Sequence, residues 1–198
     1  MVKRVFDLLV ASVLLILLAP LFLILIIIIW SGSKGPAFYL QTRVGLNGKD
    51  FKIFKFRTMY TGSDKKGLLT VGGKDQRITS AGVFLRKYKL DELPQLINVF
   101  IGDMSLVGPR PEVRKYVDLY EREQLRVLGV KPGITDYASI EYSNENELLA
   151  GAADPEKEYI NTIMPAKLKL NLKYIAEKSL LTDLKIILKT LKKIISGD

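Results

Sequence analysis

Asp91 and Glu92 stand side by side in the stretch RKYKLDELPQLINVFIGDMSLVGPRP, which runs from Arg86 to Pro111 and ends with an arginine between two prolines. Asp91 reads as a helix N-cap, with Pro94 in the first turn where its missing N–H costs little. The helix is expected to run to about Phe100 and to stop at Gly102. A helix N-terminus collects unpaired N–H groups and the positive end of the helix dipole, so a phosphate can settle there beside a carboxylate. Two anions meet only with a cation between them. A divalent metal held by Asp91 or Glu92 would serve, with Arg86, Arg110 or Arg114 in support. In most proteins an acidic pair opening a helix is a cap and nothing more, so the rest of the chain must decide.

Composition limits what can surround the pair. The 198 residues suffice for one domain with a real core plus an appendage. Cysteine is absent, which excludes disulfides, zinc-thiolate sites and thiol nucleophiles. Histidine is absent too, so acid–base and metal chemistry fall to Asp, Glu, Lys, Tyr, backbone and water, a donor set that favours hard cations such as magnesium. The net charge of +9 calls for an anionic partner: nucleic acid, a phospholipid surface or a phosphorylated substrate.

Leu8 to Trp30 is an uncharged run of 23 residues, roughly 34 Å of helix and long enough to span a bilayer. Pro20 removes the hydrogen bond to the Ile16 carbonyl and should bend the helix near its middle. Lys3 and Arg4 precede the run, and Lys34, Arg43, Lys49, Lys52, Lys55 and Arg57 follow it. A re-entrant hairpin puts both basic flanks on the cytoplasmic side, whereas a span leaves Lys3 and Arg4 outside. The run exceeds a signal-peptide core and no small-residue cleavage pattern follows, so it reads as an anchor that stays.

Ser31 to Pro36 is a glycine-rich exit loop. Ala37 to Val44 and Phe51 to Met59 read as strands joined at Asn47-Gly48, with Lys55 and Arg57 on one face and Phe56 on the other. Such cations are usually solvated, but they lie close in sequence to other basic groups and a phosphate role stays open. Thr61 to Gln76 reads as a mobile loop, and Thr79 or Ser80 as the cap of a helix from about Ala81 to Lys89. Met104 to Pro111 should be extended and stiff, holding the Arg110 fork ready for a phosphate. Glu112 to Leu128 reads as an amphipathic helix, Lys131-Pro132-Gly133 as a turn and Tyr137 to Tyr142 as a strand. From Asp154-Pro155 the chain reads as helical to its end, broken at Pro165. Its last part, Asp183 to Ile195, is an apolar stripe bordered by lysines, which fits a core-facing helix or one lying in a bilayer interface.

Taken together, these motifs resemble the bacterial sugar transferase family, the small monotopic phosphoglycosyl transferases. The resemblance runs from KRVFD at Lys3 to Asp7 through YLQTRVG at Tyr39 to Gly45, KFRTM at Lys55 to Met59, LDELPQLINV at Leu90 to Val99, GDMSLVGPRP at Gly102 to Pro111 and KPGIT at Lys131 to Thr135, and on to the final helix. It implies an α/β fold, helix-rich with a small β-hairpin, in which residues 1–30 form a re-entrant membrane anchor broken at Pro20. Residues 31–198 would form a catalytic domain with amphipathic interfacial helices on the cytoplasmic face of the bacterial inner membrane, a monotopic arrangement. The activity implied is transfer of a sugar phosphate from a UDP-sugar to polyprenyl phosphate with release of UMP, with no part for nucleic acid. By similarity Asp91 is the nucleophile that forms a covalent phosphosugar-enzyme, Glu92 is its partner, and magnesium is required, with Asp91 and Glu92 as ligands. Arg43, Lys55, Arg57, Arg86, Gln95, Arg110 and Arg114 are the expected substrate contacts. The apolar hairpin would equally support a homodimer in the membrane.

Two positions depart from the family pattern. Ala19 stands where many members place a serine before the kinking proline, and Asp136 follows KPGIT where many have glycine, opening the divergent segment YASIEYSNENELLA. Two rival readings remain at this level: a hydrolase using water as acceptor, and a membrane-tethered module that binds anionic ligands without chemistry. The second would leave function intact in Asp91→Asn and would weaken steeply with salt.

Overall fold

Helix α1 (Val2–Gly32) runs 31 residues and passes through Pro20 without a break in its helical assignment. A computed structural model describes residues 1–63 and 75–196; most of the stretch read as a mobile loop lies outside them. α1 is long and apolar enough to cross a membrane, and only 11% of its most apolar window is buried, which separates it from the core helix of a soluble protein. Ala11 packs with Leu96, Val99, Met104 and Ile186. Leu25 and Ile29 pack with Ala37, Phe56 and Leu85, where Phe22 and Phe38 flank the Phe56 ring. Leu9, Val13, Ile16, Leu17, Leu23, Ile24, Ile27 and Ile28 face outward.

Both ends of α1 are tied down by polar groups. Arg4 donates to the Val99 carbonyl at 2.5 Å and the Phe100 carbonyl at 2.9 Å. Asp7, fully buried, accepts from the Ser105 hydroxyl at 2.7 Å and the Leu106 N–H at 3.3 Å. At the far end Arg57 donates to the carbonyls of Ser33 at 2.8 Å and Lys34 at 2.5 Å.

Strands β1 (Phe38–Val44) and β2 (Asp50–Phe56) form the expected antiparallel hairpin, with Phe38 opposite Phe56 and Val44 opposite Asp50. Asn47 takes a left-handed φ of 55°, as the Asn-Gly pair foretells. Thr79 caps α2 (Ser80–Lys87) by accepting from the Gly82 N–H at 2.9 Å. Lys89, at φ 55°, then swings the chain into a tight 3₁₀ turn over Leu90–Glu92. α3 follows as Gln95–Ile101 and stops at Gly102, whose φ of 101° suits glycine. Asp91 is thus not an N-cap, contrary to expectation. It sits inside the 3₁₀ turn, and Pro94, already helical, precedes α3 without a side-chain cap.

β3 (Ser105–Val107) and β4 (Gly133–Thr135) pair in parallel, an arrangement that needs a long crossover. That crossover was expected as one amphipathic helix but contains only α4 (Arg114–Val117) and a 3₁₀ stretch, Gln124–Gly129. The apolar stripe Val113, Tyr116, Val117, Tyr120 is interrupted at Gln124, and Val127 and Leu128 reach the same core from the 3₁₀ stretch instead. Tyr137 to Tyr142 is likewise not a strand. Asp136 accepts from the Ser139 N–H at 2.6 Å and starts α5 (Tyr137–Glu141). α6 (Glu145–Ala150) and α7 (Pro155–Glu158, capped by Asp154) follow. Pro165 does not break the last region; a π turn over Tyr159–Ile163 leads into α8 (Met164–Glu177), in whose first turn the missing N–H of Pro165 costs little. α9 (Leu180–Ser196) buries Asp183 and Ile186 and exposes Leu181, Leu184, Leu188, Leu191 and Ile195.

Candidate active site

Asn98 sets α3 against the hairpin. Its buried amide accepts from the Phe54 N–H at 2.9 Å and donates to the Lys52 carbonyl at 2.8 Å, completing the free edge of β2 as another strand would. The turn just before α3 is thereby brought against Lys55. Glu92 meets two cations there. Arg110 grips both of its oxygens, Nη1 to Oε2 at 2.9 Å and Nη2 to Oε1, while Lys55 Nζ lies 3.4 Å from Oε1. Burial alone would raise the Glu92 carboxyl, but Arg110 and Lys55 outweigh it and hold it well below the usual carboxylate range. Glu92 in turn holds the Arg110 guanidinium proton more tightly than usual. Burial pushes the Lys55 ammonium down, with Glu92 opposing.

Asp91 has a different environment. It is 8% exposed, and among the described residues no hydrogen bond or ion pair reaches its carboxylate. Burial, and after it the Glu92 charge, raises its pKa; Lys55, Arg86 and Lys89 act the other way without cancelling the rise. The result is a desolvated carboxylate surrounded by cations that other groups hold in place. Gln95, one turn on, is fully buried, and among the described residues neither its amide nitrogen nor its oxygen has a partner.

Of the expected contacts, Lys55, Arg86 and Arg110 gather electrostatically around the carboxylate pair. Arg86 Nε also donates to the Thr58 hydroxyl at 2.9 Å. Arg43 lies behind Lys55, binding Gln41, the Pro111 carbonyl at 3.1 Å and Glu112 at 3.0 Å, so it braces the Arg110 loop. Arg57 departs furthest from the reading of Lys55 and Arg57 as a shared face: it is buried and its fork is taken up by the α1 exit loop. Arg114 binds the Gly48 carbonyl and Asp50 on the outside of the hairpin turn. Asp136 is the participant that motif reasoning did not place: fully buried, it accepts the Arg110 N–H at 3.0 Å. An Asp three residues before Ser139, at the end of KPGIT, is a helix-cap signal that points to it.

Among the described residues no three acidic, His or Cys side chains cluster to hold a metal by themselves. Magnesium commonly takes one or two carboxylates and completes its shell with water and substrate phosphate oxygens. The unpartnered Asp91 carboxylate fits that use. Glu92 is already matched by Arg110 and Lys55.

A family model described as bacterial sugar transferase matches residues 1–197. The chain is 38% identical over 200 residues to a UDP-N-acetylgalactosamine-undecaprenyl-phosphate N-acetylgalactosaminephosphotransferase of Aeromonas hydrophila, a match that covers 99% of this chain and 44% of that protein. Against the uncharacterized sugar transferase EpsL of Bacillus subtilis it is 40% identical over 196 residues, covering 99% of this chain and 88% of the relative. With the UDP-glucose:undecaprenyl-phosphate glucose-1-phosphate transferase of Caulobacter vibrioides it shares 38% identity over 199 residues, or 99% of this chain and 70% of that one. The chain thus spans less than half of the first relative and most of the other two.

Proposed function

The chain belongs to the bacterial sugar transferase family of enzymes, and from that premise we propose that it moves a sugar 1-phosphate from a UDP-sugar to polyprenyl phosphate, with Asp91 as nucleophile. The observation that carries this reading is the buried Asp91 carboxylate, without hydrogen-bond or ionic partner among the described residues and adjacent to a Glu92 that Arg110 and Lys55 already satisfy. In the first step an Asp91 oxygen attacks the sugar-linked phosphorus. The new P–O bond forms as the bond to the bridging oxygen breaks, and UMP departs with the electron pair. In the second, a phosphate oxygen of the acceptor attacks the same phosphorus and Asp91 is released as carboxylate. A carboxylate attacks a diphosphate only where the anion is neutralised, and Lys55, Arg86, Lys89 and Arg110 all act electrostatically on Asp91. Magnesium held by Asp91 and the donor phosphates would supply further neutralisation of the diphosphate. The acceptor monoester has a second pKa of about 6, so it arrives largely dianionic and needs no histidine base.

The anchor is re-entrant and the body sits on the cytoplasmic face of the inner membrane. Supporting this, Lys3, Arg4 and Asp7 at one end of α1 and the Arg57 clasp at the other bind the same body. A span would part those ends by about 30 Å of hydrocarbon. The exposed apolar stripe of α9, bordered by Lys185, Lys189 and Lys192, supports a helix lying in the headgroup region, where a polyprenyl phosphate carries its charge.

The test is the intact mass of detergent-purified protein incubated with magnesium and either UDP-glucose or UDP-N-acetylgalactosamine, the donors named in its relatives, within a wider UDP-sugar panel. A gain of one phosphosugar, absent in Asp91→Asn and discharged by undecaprenyl phosphate, is the expected result. UMP release that persists in Asp91→Asn would end the nucleophile assignment.

A further inference from the structure

The two prolines that stiffen the Arg110 segment also strip it of donors. Between Pro109 and Pro111 the Arg110 N–H is the only backbone hydrogen available, and it is given to Asp136 Oδ2 at 3.0 Å. The other oxygen of Asp136 takes the Ser139 N–H at 2.6 Å. The parallel strands bring these residues together: Val107 pairs with Thr135, the Gly108 N–H reaches the Thr135 carbonyl at 3.1 Å, and the Gly133 N–H reaches the Pro109 carbonyl at 3.0 Å. Each chain leaves its strand at this point, one toward Arg110 and the other into α5. Asp136, with no exposed surface, ties the two exits together, and the guanidinium beyond it closes on Glu92.

We propose that Asp136 is a positioning residue of the active site, which fixes the Arg110 backbone so that the guanidinium fork is aimed at Glu92 and the donor diphosphate. The diphosphate part of this rests on the transferase reading; the aim at Glu92 does not.

Asp136→Ser separates the two jobs of the carboxylate. Serine caps a helix about as well as aspartate, but its single short hydroxyl cannot also reach the Arg110 N–H. If that variant does not purify, Asp136→Asn, which keeps the size and one acceptor oxygen, replaces it. A substrate-free arm measures Tm for Asp136→Ser, Glu92→Gln and the double variant. Asp136 and Glu92 are linked through Arg110, so the loss caused by Asp136→Ser should shrink by about half or more once Glu92 is neutral. Additive losses would overturn the proposal, because a cap acting only on α5 has no reason to sense Glu92. The kinetic arm measures kcat/KM for the accepted UDP-sugar with undecaprenyl phosphate as acceptor. Asp136→Ser should lower it on the order of tenfold, the worth of one misplaced charged hydrogen bond. In an Arg110→Ala background the same change should cost about twofold or less. An equal loss in both backgrounds, or none in the wild type, would sink the positioning role. Coupled Tm values in a protein that releases UMP from no UDP-sugar would instead overturn the transferase reading and leave the Arg110 clasp standing.

Discussion

At Asp91 the folded protein holds a carboxylate whose pKa is raised, first by burial and then by Glu92. A group with a raised folded pKa adds stability below its unfolded value, about 3.9 for Asp, and that stability is lost as pH rises through the folded value. Ionised Asp91 is therefore a liability at neutral pH, and Asp91→Asn should raise Tm by about 2–4 °C at pH 7.5 while abolishing turnover. The gain should shrink as pH falls and the native side chain takes up its proton; thermal melts at neutral and acidic pH check it. Glu92 behaves in the opposite sense. Its pKa is depressed, with Arg110 and Lys55 outweighing burial, so its contribution is present above the unfolded value and is lost as pH falls through the folded one. Glu92→Gln removes the carboxylate that pairs directly with both Arg110 and Lys55 and should cost about 2–3 kcal/mol, somewhat less than a fully buried pair. The raised Asp91 pKa also governs rate. Single-turnover adduct formation, followed by mass against pH, should slow as pH falls and Asp91 takes up its proton, and a rate that does not fall on acidification would contradict the assigned nucleophile.

Among the elements, β3 and β4 carry the tightest constraint. A Cβ on Gly133 would stand 2.1 Å from the Gly108 nitrogen, and one on Gly108 would stand 2.5 Å from the Lys131 carbonyl oxygen. Gly133→Ala must force the strands apart just where Arg110 leaves them, so a stability loss of about 1–3 kcal/mol should come with loss of adduct formation. Arg57 makes the contrasting case. Arg57→Lys cannot fork to the Ser33 and Lys34 carbonyls; it should lower Tm while leaving the donor KM of the surviving protein unchanged, and a raised KM would return Arg57 to the substrate. The same residues mark what was legible beforehand. Asn47-Gly48, Thr79 and Gly102 are local signals, and the turn, the cap and the helix stop lie where those residues put them. The crossover after Glu112 and the π turn before Pro165 depend on which apolar side chains find a core, and spacing along the chain does not carry that information. At the site, adjacency picked out Asp91 and Glu92, and rigidity picked out Arg110. The fates of Arg43, Arg57 and Arg114 turn on carbonyls and carboxylates far away in sequence, and on a chain of net charge +9 no local signal sorts cations that face a substrate from those that brace a loop.

Taken whole, the molecule does not divide cleanly into an anchor of residues 1–30 and a separate body. Ala11, Leu25 and Ile29 are core residues of the body, and Asp7 satisfies the Ser105 hydroxyl at the start of β3. A version lacking residues 1–32 should not yield a soluble monomer, and size-exclusion chromatography would show aggregate instead. The direction of translation sharpens this. α1 is made before any of its partners, and roughly 74 residues separate Gly32 from Leu106, which at about 5–20 residues per second is a wait of some 4–15 s. Until then the nascent helix lacks the complete surface of Leu96, Val99, Met104 and Leu106 on which Ala11 packs, so lipid must receive it first. Liposomes present during cell-free synthesis should therefore give active protein, whereas the same liposomes added after synthesis should give little, because the bilayer acts as the first template on which the catalytic body is assembled.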